Sequence, residues 1–513
     1  MSTSPSTISL NGEDLTLQSF EQVVRFGAPV SLSENAVAKM IRSRSTVESL
    51  VQDGRTVYGI TTGFGKFSDT LIDRSQSAEL QINLIRSHAC GAGDPLDKET
   101  VRGMMLLRAN ALAKGYSGIR PVTVETLIQL LNHHIHPIIP SQGSLGASGD
   151  LAPLAHMSLP LLGEGEVLRH GQRMDAATAL EQAGISPVQL EAKEGLALIN
   201  GTQMMASLTA LSILDTHRLL LAADVISAMT LEALNGIPHA FHPLLQHARG
   251  QQGQTATAHR MRQLLSGSQR TTLPGEKRVQ DAYSLRCIPQ VHGASLDAYH
   301  YVQQVVLREL NAATDNPLLF PEEEQVISGG NFHGQPLALA ADFLAIAVAE
   351  LASISERRTE RLVNPQLSGL PAFLTRNGGL HSGYMILQYL AASLVSENKT
   401  LCHPASVDSI PSSANQEDHV SMGSIAARKL RTVIQNVTRT LAVEYLCAAQ
   451  ALEYGEGRLG TGTEAAYQLI REQIPPLTDD RVGHTDVEKA AELIQSGRLE
   501  KAVRKHLQTD LLD

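Results

Sequence analysis

The chain has 513 residues, of which 42% are hydrophobic and 18% are charged, so it is long enough to bury a large core. Its net charge of −10 at pH 7, without a long basic run, argues against nucleic acid and anionic membranes as partners. Four widely spaced cysteines without a Cys-x-x-Cys pair favour reduced thiols in the cytoplasm. Residues 1–15 show neither the basic nor the apolar segment of a secretory signal.

Residues 1–198 are predicted to form a mixed N-terminal domain in which Gly and Pro are frequent and the segments 8–17 and 57–62 are extended. Three uncharged stretches could be mistaken for membrane spans: 126–149, 195–214 and 377–396. Each contains polar side chains that would be costly in lipid. We therefore interpret all three as buried helix in a soluble protein.

Residues 199–455 are predicted to form an elongated bundle of long helices, which makes the fold class mainly α. Apolar residues recur every three to four positions in 201–236, 335–363 and 419–454. Thirty such residues form a helix of roughly 45 Å. Helices of this length usually belong to bundles, and their apolar surface tends to be buried against other subunits. The segment 265–293 shows no helical period and is predicted to be a long ordered loop, and 456–513 is predicted to be a C-terminal helical cap.

The segment 143–156 contains a tripeptide that can become an electrophile. It reads Gly-Ser-Leu-Gly-Ala-Ser-Gly-Asp-Leu-Ala-Pro-Leu-Ala-His. The nitrogen of Gly149 can attack the carbonyl carbon of Ala147 with loss of water, and Ser148 can lose its hydroxyl and α-hydrogen as a second water. The product is a 4-methylidene-imidazol-5-one ring, an electron sink of a kind that normally requires a cofactor. An isolated Ala-Ser-Gly is equally compatible with a glycine-rich turn or an anion-binding nest of backbone amides.

Other motif matches in the chain are weak. Gly63-Phe64-Gly65 lacks the third glycine of a dinucleotide site, and the histidines at 133, 134 and 136 lack acidic or Cys partners, so no metal site is predicted. Ser396-Glu397-Asn398-Lys399 has the spacing of S-x-x-K without its companion motifs. The segment 146–150 is a near match to the nucleophile elbow, which leaves a serine hydrolase with Ser148 as nucleophile as an alternative.

The long string around Ser148 resembles the signature of the aromatic amino acid ammonia-lyase family, and further motifs extend the resemblance over nearly the whole chain. These motifs are Val57–Gly65, Ile199–Gln203, Gln280–Arg286, Gly330–His333 and Asn415–His419. The resemblance implies that Ala147-Ser148-Gly149 forms the ring autocatalytically, without an external cofactor. It also implies a homotetramer whose active sites are shared between subunits.

The resemblance assigns site residues in each motif. Asn200 and Tyr283 are expected to hydrogen-bond the ring, and Arg286 can hold the substrate carboxylate with a bidentate pair. Tyr58 is the candidate base for the β-proton, provided that cationic or dipolar groups lower its pKa, and Glu417 is the rival base. Two further candidates that contact the substrate in this scheme are Gln280 and Phe332.

Ser87-His88 indicates the substrate. Relatives specific for phenylalanine and tyrosine typically carry Phe-Leu and His-Leu here, whereas Ser-His resembles the histidine-specific members. His88 and Glu417 can hydrogen-bond an imidazole ring, and Met385 resembles a further residue of that pocket. The resemblance thus implies conversion of L-histidine to trans-urocanate and ammonia, the first step of histidine degradation. A tyrosine or phenylalanine lyase or aminomutase, and a structural protein without activity, remain alternatives.

Overall fold

The computed structural model describes residues 6–63, 65 and 72–507. Three parts of the sequence interpretation therefore lie outside the described residues: the first five residues, Phe64 of the tyrosine motif, and 508–513 of the predicted cap. Within the described residues, one helix, Gln335–Val363, is long and apolar enough to cross a membrane by length and composition alone. Of its most apolar window, 67% is buried inside the protein, as in the core helices of soluble proteins.

The described part of the chain is mainly helical, as predicted. Its helices are α1 (Leu17–Val24), α2 (Glu34–Gln52), α3 (Ser77–His88), α4 (Lys98–Ala113), α5 (Pro121–Asn132), α6 (Leu151–Ser158), α7 (Ala176–Ala183), α8 (Glu194–Ile199), α9 (Gln203–Ala233), α10 (Pro243–Arg249), α11 (Gln252–Leu264), α12 (Tyr283–Arg286), α13 (Ile288–Leu310), α14 (Gln335–Val363), α15 (Pro365–Ser368), α16 (Met385–Leu401), α17 (Gly423–Leu452), α18 (Thr461–Gln473), α19 (Gly483–Gln495) and α20 (Arg498–Leu507).

The strands are short and form small sheets. They are β1 (Ile8–Leu10), β2 (Val30–Leu32), β3 (Ala92–Pro95), β4 (Ile135–Pro137), β5 (Pro140–Gln142), β6 (Glu166–Arg169), β7 (Gln172–Asp175), β8 (Leu318–Phe320) and β9 (Gln325–Ile327). The strands β1 and β2 pair in parallel, whereas β3–β5, β4–β6–β7 and β8–β9 are antiparallel.

Contacts between residues divide the chain into two compact units. The first unit comprises Met1–Leu211, Gln303–Asp342 and Pro404–Arg428, and it contains all nine of the described strands. The second unit comprises Ser212–Val302, Phe343–His403 and Lys429–Asp513. The three-part division at 198 and 455 stays a prediction.

The three long helices predicted from apolar periodicity are α9, α14 and α17, with 31, 29 and 30 residues. Their period reflects buried faces, such as Leu430, Val433, Val437 and Leu441 in α17, all of which are 0% exposed. In the second unit, two groups of buried charges are paired. Arg358 Nε lies 2.6 Å from Glu444 Oε1, and Asp224 binds both Arg260 and His292 at 2.7 Å. Such pairing is what permits charged groups in a helical core.

Five local predictions were wrong, at least in part. The segment 57–62 is a turn rather than extended, because Thr61 Oγ1 accepts the N–H of Val57 and donates to Arg55 O at 2.7 Å. The segment 265–293 contains α12 and the start of α13, whose polar and glycine residues hide the helical period. In 126–149 the helix ends at Asn132, and the segment continues through β4 and β5. The segment 8–17 is extended only at Ile8–Leu10, and the segment 377–396 is helical only from Met385 onward.

Candidate active site

The loop that carries the Ala-Ser-Gly tripeptide connects β5 to α6 and requires glycine at two positions. Gly146 has φ +70° and Gly149 has φ +76°, which are left-handed conformations that disfavour other residues. A Cβ atom on Gly149 would lie 2.0 Å from the carbonyl oxygen of Gly201, and one on Gly146 would lie 2.2 Å from Ser421 Oγ. The backbone around Ser148 is therefore closely packed against two neighbouring segments.

Asp150 fixes the end of this loop to the start of α9. Its buried Oδ2 accepts the backbone N–H groups of Met204 and Met205 at 2.9 and 3.0 Å. Its own N–H donates to Gly201 O at 2.7 Å. Burial raises the pKa of Asp150 to about 7, although the two N–H donors act in the opposite direction. Asp150 satisfies orphan donors of the helix N-terminus and positions the residue before it, Gly149.

Ser148 has a hydrogen bond on each side of its Cα. Its hydroxyl donates to Glu417 Oε1 at 3.1 Å, and its carbonyl oxygen accepts from Asn200 Nδ2 at 3.2 Å. Glu417 is held in turn by the hydroxyl of Ser412, which donates to Oε2 at 2.9 Å. The structure therefore brings together three residues that the sequence assigned to the site: Ser148, Asn200 and Glu417.

Arg108 positions Asn200, and the sequence analysis did not identify it. The guanidinium is fully buried and donates to Asn200 O at 2.9 Å, to Gln203 Oε1 at 2.8 Å and to Ala197 O. It thus binds the carbonyl groups at the end of α8, which have no partner within that helix. A charged residue inside the otherwise uncharged segment 104–113 was the available signal. The Oδ1 of Asn200 is buried and accepts no hydrogen bond within the described part of the chain.

His88 lies at the end of α3 as a neutral ring. Its Nδ1 is 2.8 Å from the carbonyl oxygen of Leu84, which can only accept, so the proton is on Nδ1 and Nε2 is an acceptor. Burial lowers the pKa of His88, although the Leu84 carbonyl and Glu417 act in the opposite direction. The ring therefore offers an acceptor, and not a positive charge, to a ligand.

The environment of Tyr58 opposes its predicted role as a base. Burial raises the pKa of Tyr58, and the charges of Glu417 and Asp315 add to this effect. Among the described residues, the one group that lowers it is the N–H of Gly65, which donates to the phenol oxygen at 3.3 Å. The sequence interpretation required cationic or dipolar groups to lower this pKa, and among the described residues of the first unit the net effect is a rise. Asp315 is itself paired with the buried Lys193, at 2.6 Å.

A cavity of about 710 Å³ in the first unit has five of the predicted site residues on its wall. They are Tyr58, His88, Ser148, Asn200 and Glu417. One face of α3 supplies much of the remaining wall, with Leu80, Asn83, Leu84 and Ser87. Asn83 was not identified from the sequence, although its spacing of four residues from Ser87 places both on one face of α3. Within the described residues, no group of three or more His, Cys, Asp or Glu side chains is arranged to hold a metal ion.

The other predicted site residues lie elsewhere. Gln280, Tyr283 and Arg286 line a cavity of about 430 Å³ formed by the second unit. The guanidinium carbon of Arg286 lies 4.5 Å from the centre of the Tyr283 ring, and the Tyr283 side chain is 71% exposed. Phe332 in the first unit and Met385 at the start of α16 in the second are half-buried, and neither lines one of these two cavities.

Comparison with known proteins identifies the family. Residues 15–472 match the family model described as aromatic amino acid lyase. The chain belongs to the aromatic amino acid lyase family. It is 58% identical to the histidine ammonia-lyase of Alkaliphilus metalliredigens, over 97% of this chain and 98% of that protein, and 60% identical to that of Symbiobacterium thermophilum, over 96% and 97%.

Solved structures of family members have the same fold. The crystal structure of histidine ammonia-lyase from Trypanosoma cruzi is 45% identical, with a TM-score of 0.91 over 98% of this chain and 95% of that one. Tyrosine aminomutase from Streptomyces globisporus is 39% identical, with a TM-score of 0.94 over 98% and 100%. The predicted family and the long-helix fold are confirmed. Membership in this lyase family implies a 4-methylidene-imidazol-5-one group.

The tripeptide of this family member fits such a group. Gly149 has no side chain, and the space that a Cβ would occupy is taken by Gly201 O, so its nitrogen is unhindered by substituents. The orphaned Oδ1 of Asn200 provides a buried acceptor on a residue that already contacts Ser148. These are features of a built site rather than of an ordinary glycine-rich turn.

Proposed function

We propose that the chain is a histidine ammonia-lyase, which converts L-histidine to trans-urocanate and ammonia in the first step of histidine degradation. The observation that carries the proposal is that Ser148, His88 and Glu417 line the same cavity. The relatives that are 58% and 60% identical over almost their whole length bear this name, which supports the same activity here.

The proposed prosthetic group forms from Ala147, Ser148 and Gly149 without an external cofactor. Cyclisation joins Gly149 N to the carbonyl carbon of Ala147, and two waters leave. The left-handed Gly149 and the anchoring of Asp150 support this proposal, because they hold the backbone in a bent and crowded conformation before the reaction. When formed, the group supplies an electron sink for the departure of the amine.

The proposed selectivity for L-histidine rests on two acceptors. Nε2 of His88 and the carboxylate of Glu417 can each accept an N–H of the substrate imidazole. A phenyl ring has no donor and would leave both acceptors without a partner, and a phenol has a single O–H, which can satisfy only one of them. A site built to hydrogen-bond a polar group rejects an analogue that lacks it by large factors. The choice of base between Tyr58 and Glu417 stays open in this proposal.

The proposed assembly is a cytoplasmic homotetramer whose active sites are shared between subunits. Helix α14 exposes an apolar stripe of Leu339, Phe343 and Ile346, which are 51%, 45% and 45% exposed at helical spacing. The exposed Tyr283 and its neighbour Arg286 are available to the site of another chain. No nucleic acid or membrane takes part in this proposal.

The test is incubation of the purified protein with L-histidine, L-tyrosine and L-phenylalanine, with urocanate and the corresponding acrylates followed by ultraviolet absorbance. We expect rapid turnover of L-histidine alone, and none by the Ser148→Ala variant. Preferred turnover of tyrosine or phenylalanine would instead identify another member of the family. Labelling of Ser148 by a fluorophosphonate would contradict the lyase mechanism and indicate a hydrolase.

A further inference from the structure

His156 is the last residue of the string 143–156, and no step proposed above uses it. It lies in α6, half-buried, and its Nε2 accepts a hydrogen bond of 3.0 Å from the backbone N–H of Gly91. A ring nitrogen that accepts carries no proton, so the ring is neutral with its proton on Nδ1. Burial lowers the pKa of His156, which favours the same neutral form.

Gly91 is enclosed by the segments on both sides of the Ala-Ser-Gly loop. A Cβ atom there would lie 3.1 Å from Gln142 O and 3.2 Å from His156 Nε2. The following residue, Ala92, begins β3 and pairs with Gln142 at the end of β5. The chain after His88 is therefore attached to the strand that precedes the loop and, through His156, to the helix that follows it.

This attachment bears on where His88 lies. The bond from His88 Nδ1 to Leu84 O is internal to α3, so it orients the ring on the helix but does not anchor the end of the helix. Arg86, in the last turn of α3, pairs with Glu164 at 2.5 Å on the exposed surface, and a second attachment comes three residues after His88, at Gly91. This second attachment connects to α6, the helix that begins at Leu151, three residues after Ser148.

We propose that His156 is a positioning residue for substrate recognition, which holds His88 at its working distance from Ser148 through the hydrogen bond to Gly91. The expected change in KM for L-histidine rests on the proposed function, whereas the expected loss of order at the end of α3 does not. If the bond is lost, the end of α3 gains freedom, and the acceptor of His88 is less often in place for the substrate ring.

Two substitutions of His156 distinguish the effect of losing the hydrogen-bond acceptor from the effect of changing the volume of the side chain. His156→Leu fills similar space without an acceptor, and His156→Gln supplies Oε1 close to the position of Nε2. We expect His156→Leu to raise KM for L-histidine about tenfold with kcat changed by less than about twofold, since tenfold corresponds to about 1.4 kcal/mol, the worth of one hydrogen bond. His156→Gln should restore KM to within about threefold of the unsubstituted chain.

Ser158→Ala is the matched control, because Ser158 lies in the same helix and its hydroxyl donates only to Leu154 O within that helix. It should leave KM unchanged. If His156→Leu fails to fold, His156→Asn replaces it, because its shorter side chain does not bring the oxygen to Gly91. An unchanged KM in the variant without an acceptor, or equal losses in that variant and in His156→Gln, would overturn the proposal.

Hydrogen exchange of the peptide that contains 89–92 gives a second readout that does not depend on activity. The Gly91 amide should be protected in the unsubstituted chain and in His156→Gln, and should exchange faster in His156→Leu. Failure of the proposed function would appear as absent urocanate in the unsubstituted chain, with this exchange pattern intact. Equal protection in all variants would refute the positioning role even in a fully active enzyme.

Discussion

Replacement of His88 by leucine tests the proposed selectivity most directly. Nδ1 of His88 donates to Leu84 O at 2.8 Å and lies 3.1 Å from Ser87 Oγ, so Nε2 is left as the acceptor without a change of tautomer. Because burial favours the neutral ring, the bond to a substrate N–H is one between neutral groups. Loss of such an acceptor leaves a buried N–H unpaired, which costs about 1–3 kcal/mol.

That range predicts that kcat/KM for L-histidine falls about 5- to 150-fold in His88→Leu. The value for L-phenylalanine should stay constant or rise, because a leucine side chain packs against a phenyl ring. Stability should change by about 1 kcal/mol or less, since leucine has a similar volume and a single hydrogen bond within α3 is lost. The thermal midpoint of the variant, measured beside its kinetics, separates a local effect from unfolding.

Ser87→Ala is the matched control for this experiment. Ser87 lines the same cavity, and its hydroxyl donates to Leu84 O at 3.1 Å and lies 3.1 Å from His88 Nδ1. Ser87→Ala therefore keeps the imidazole and its bond to Leu84 O, and removes only a second contact of Nδ1. Removal of the hydroxyl should change the ratio of kcat/KM for histidine and phenylalanine by less than about threefold. A ratio in His88→Leu equal to that of the unsubstituted chain would show that His88 does not recognise the ring.

The remaining predictions concern the ring, pH and assembly. The purified chain should weigh two waters less than its encoded mass, with the loss confined to the peptide that contains 147–149, and Ser148→Ala should show neither this deficit nor activity. The pKa of Asp150 is about 7 in the folded state, against 3.8 for an unperturbed Asp, so the unfolded state loses its proton at lower pH. This group should therefore lower the free energy of unfolding as pH rises from about 4 to about 7, by up to about 4 kcal/mol. Asp150→Asn should flatten that slope in denaturant titrations at several pH values, and an unchanged slope would exclude Asp150 as its source. Mixed Ser148→Ala and Arg286→Lys chains should regain partial activity when subunits exchange, whereas Ser148→Ala mixed with Tyr58→Phe should not, because Tyr58 and Ser148 line one cavity of a single chain. A monomer in sedimentation would contradict a shared site.

Apolar periodicity was sufficient to predict α14 and α17, because a long helix that buries one face must repeat its apolar residues at helical spacing. Helix α9 is buried on nearly all sides, so its long run of apolar residues, rather than a period, marks it in the sequence. Periodicity failed at 57–62, where Val57, Ile60 and Thr61 are typical of strands. There Ile60 instead packs into a small core with Leu50 and Leu319, and the Thr61 hydroxyl bonds to the backbone of the turn. Tertiary packing therefore determined the local conformation against the propensity of the residues.

The candidate site could also be predicted only in part, because motifs identify the residues of the cavity wall but not the residues that support them. Motif resemblance assigned Tyr58, His88, Asn200 and Glu417, and the structure places all of them on the wall of the cavity with Ser148. Supporting residues such as Arg108 are determined by contacts between segments far apart in sequence. Arg108 reaches Asn200 over 92 positions, and no local pattern encodes that distance.

The charges around the cavity give the complementation experiment its physical basis. Deamination requires a cation for the substrate carboxylate, and Tyr58 requires one to become a base. No Lys or Arg is among the described residues that line the cavity, and the nearby charges of Glu417 and Asp315 raise the pKa of Tyr58 instead. Arg286 belongs to the other cavity, beside an exposed Tyr283. If a neighbouring subunit delivers Arg286, one guanidinium can bind the carboxylate and offset the nearby negative charge. A Ser148→Ala chain can then still donate Arg286 to the intact ring of an Arg286→Lys chain, and the recovered activity should disappear when Arg286→Lys is also added to the Ser148→Ala chain, because lysine cannot form the bidentate pair.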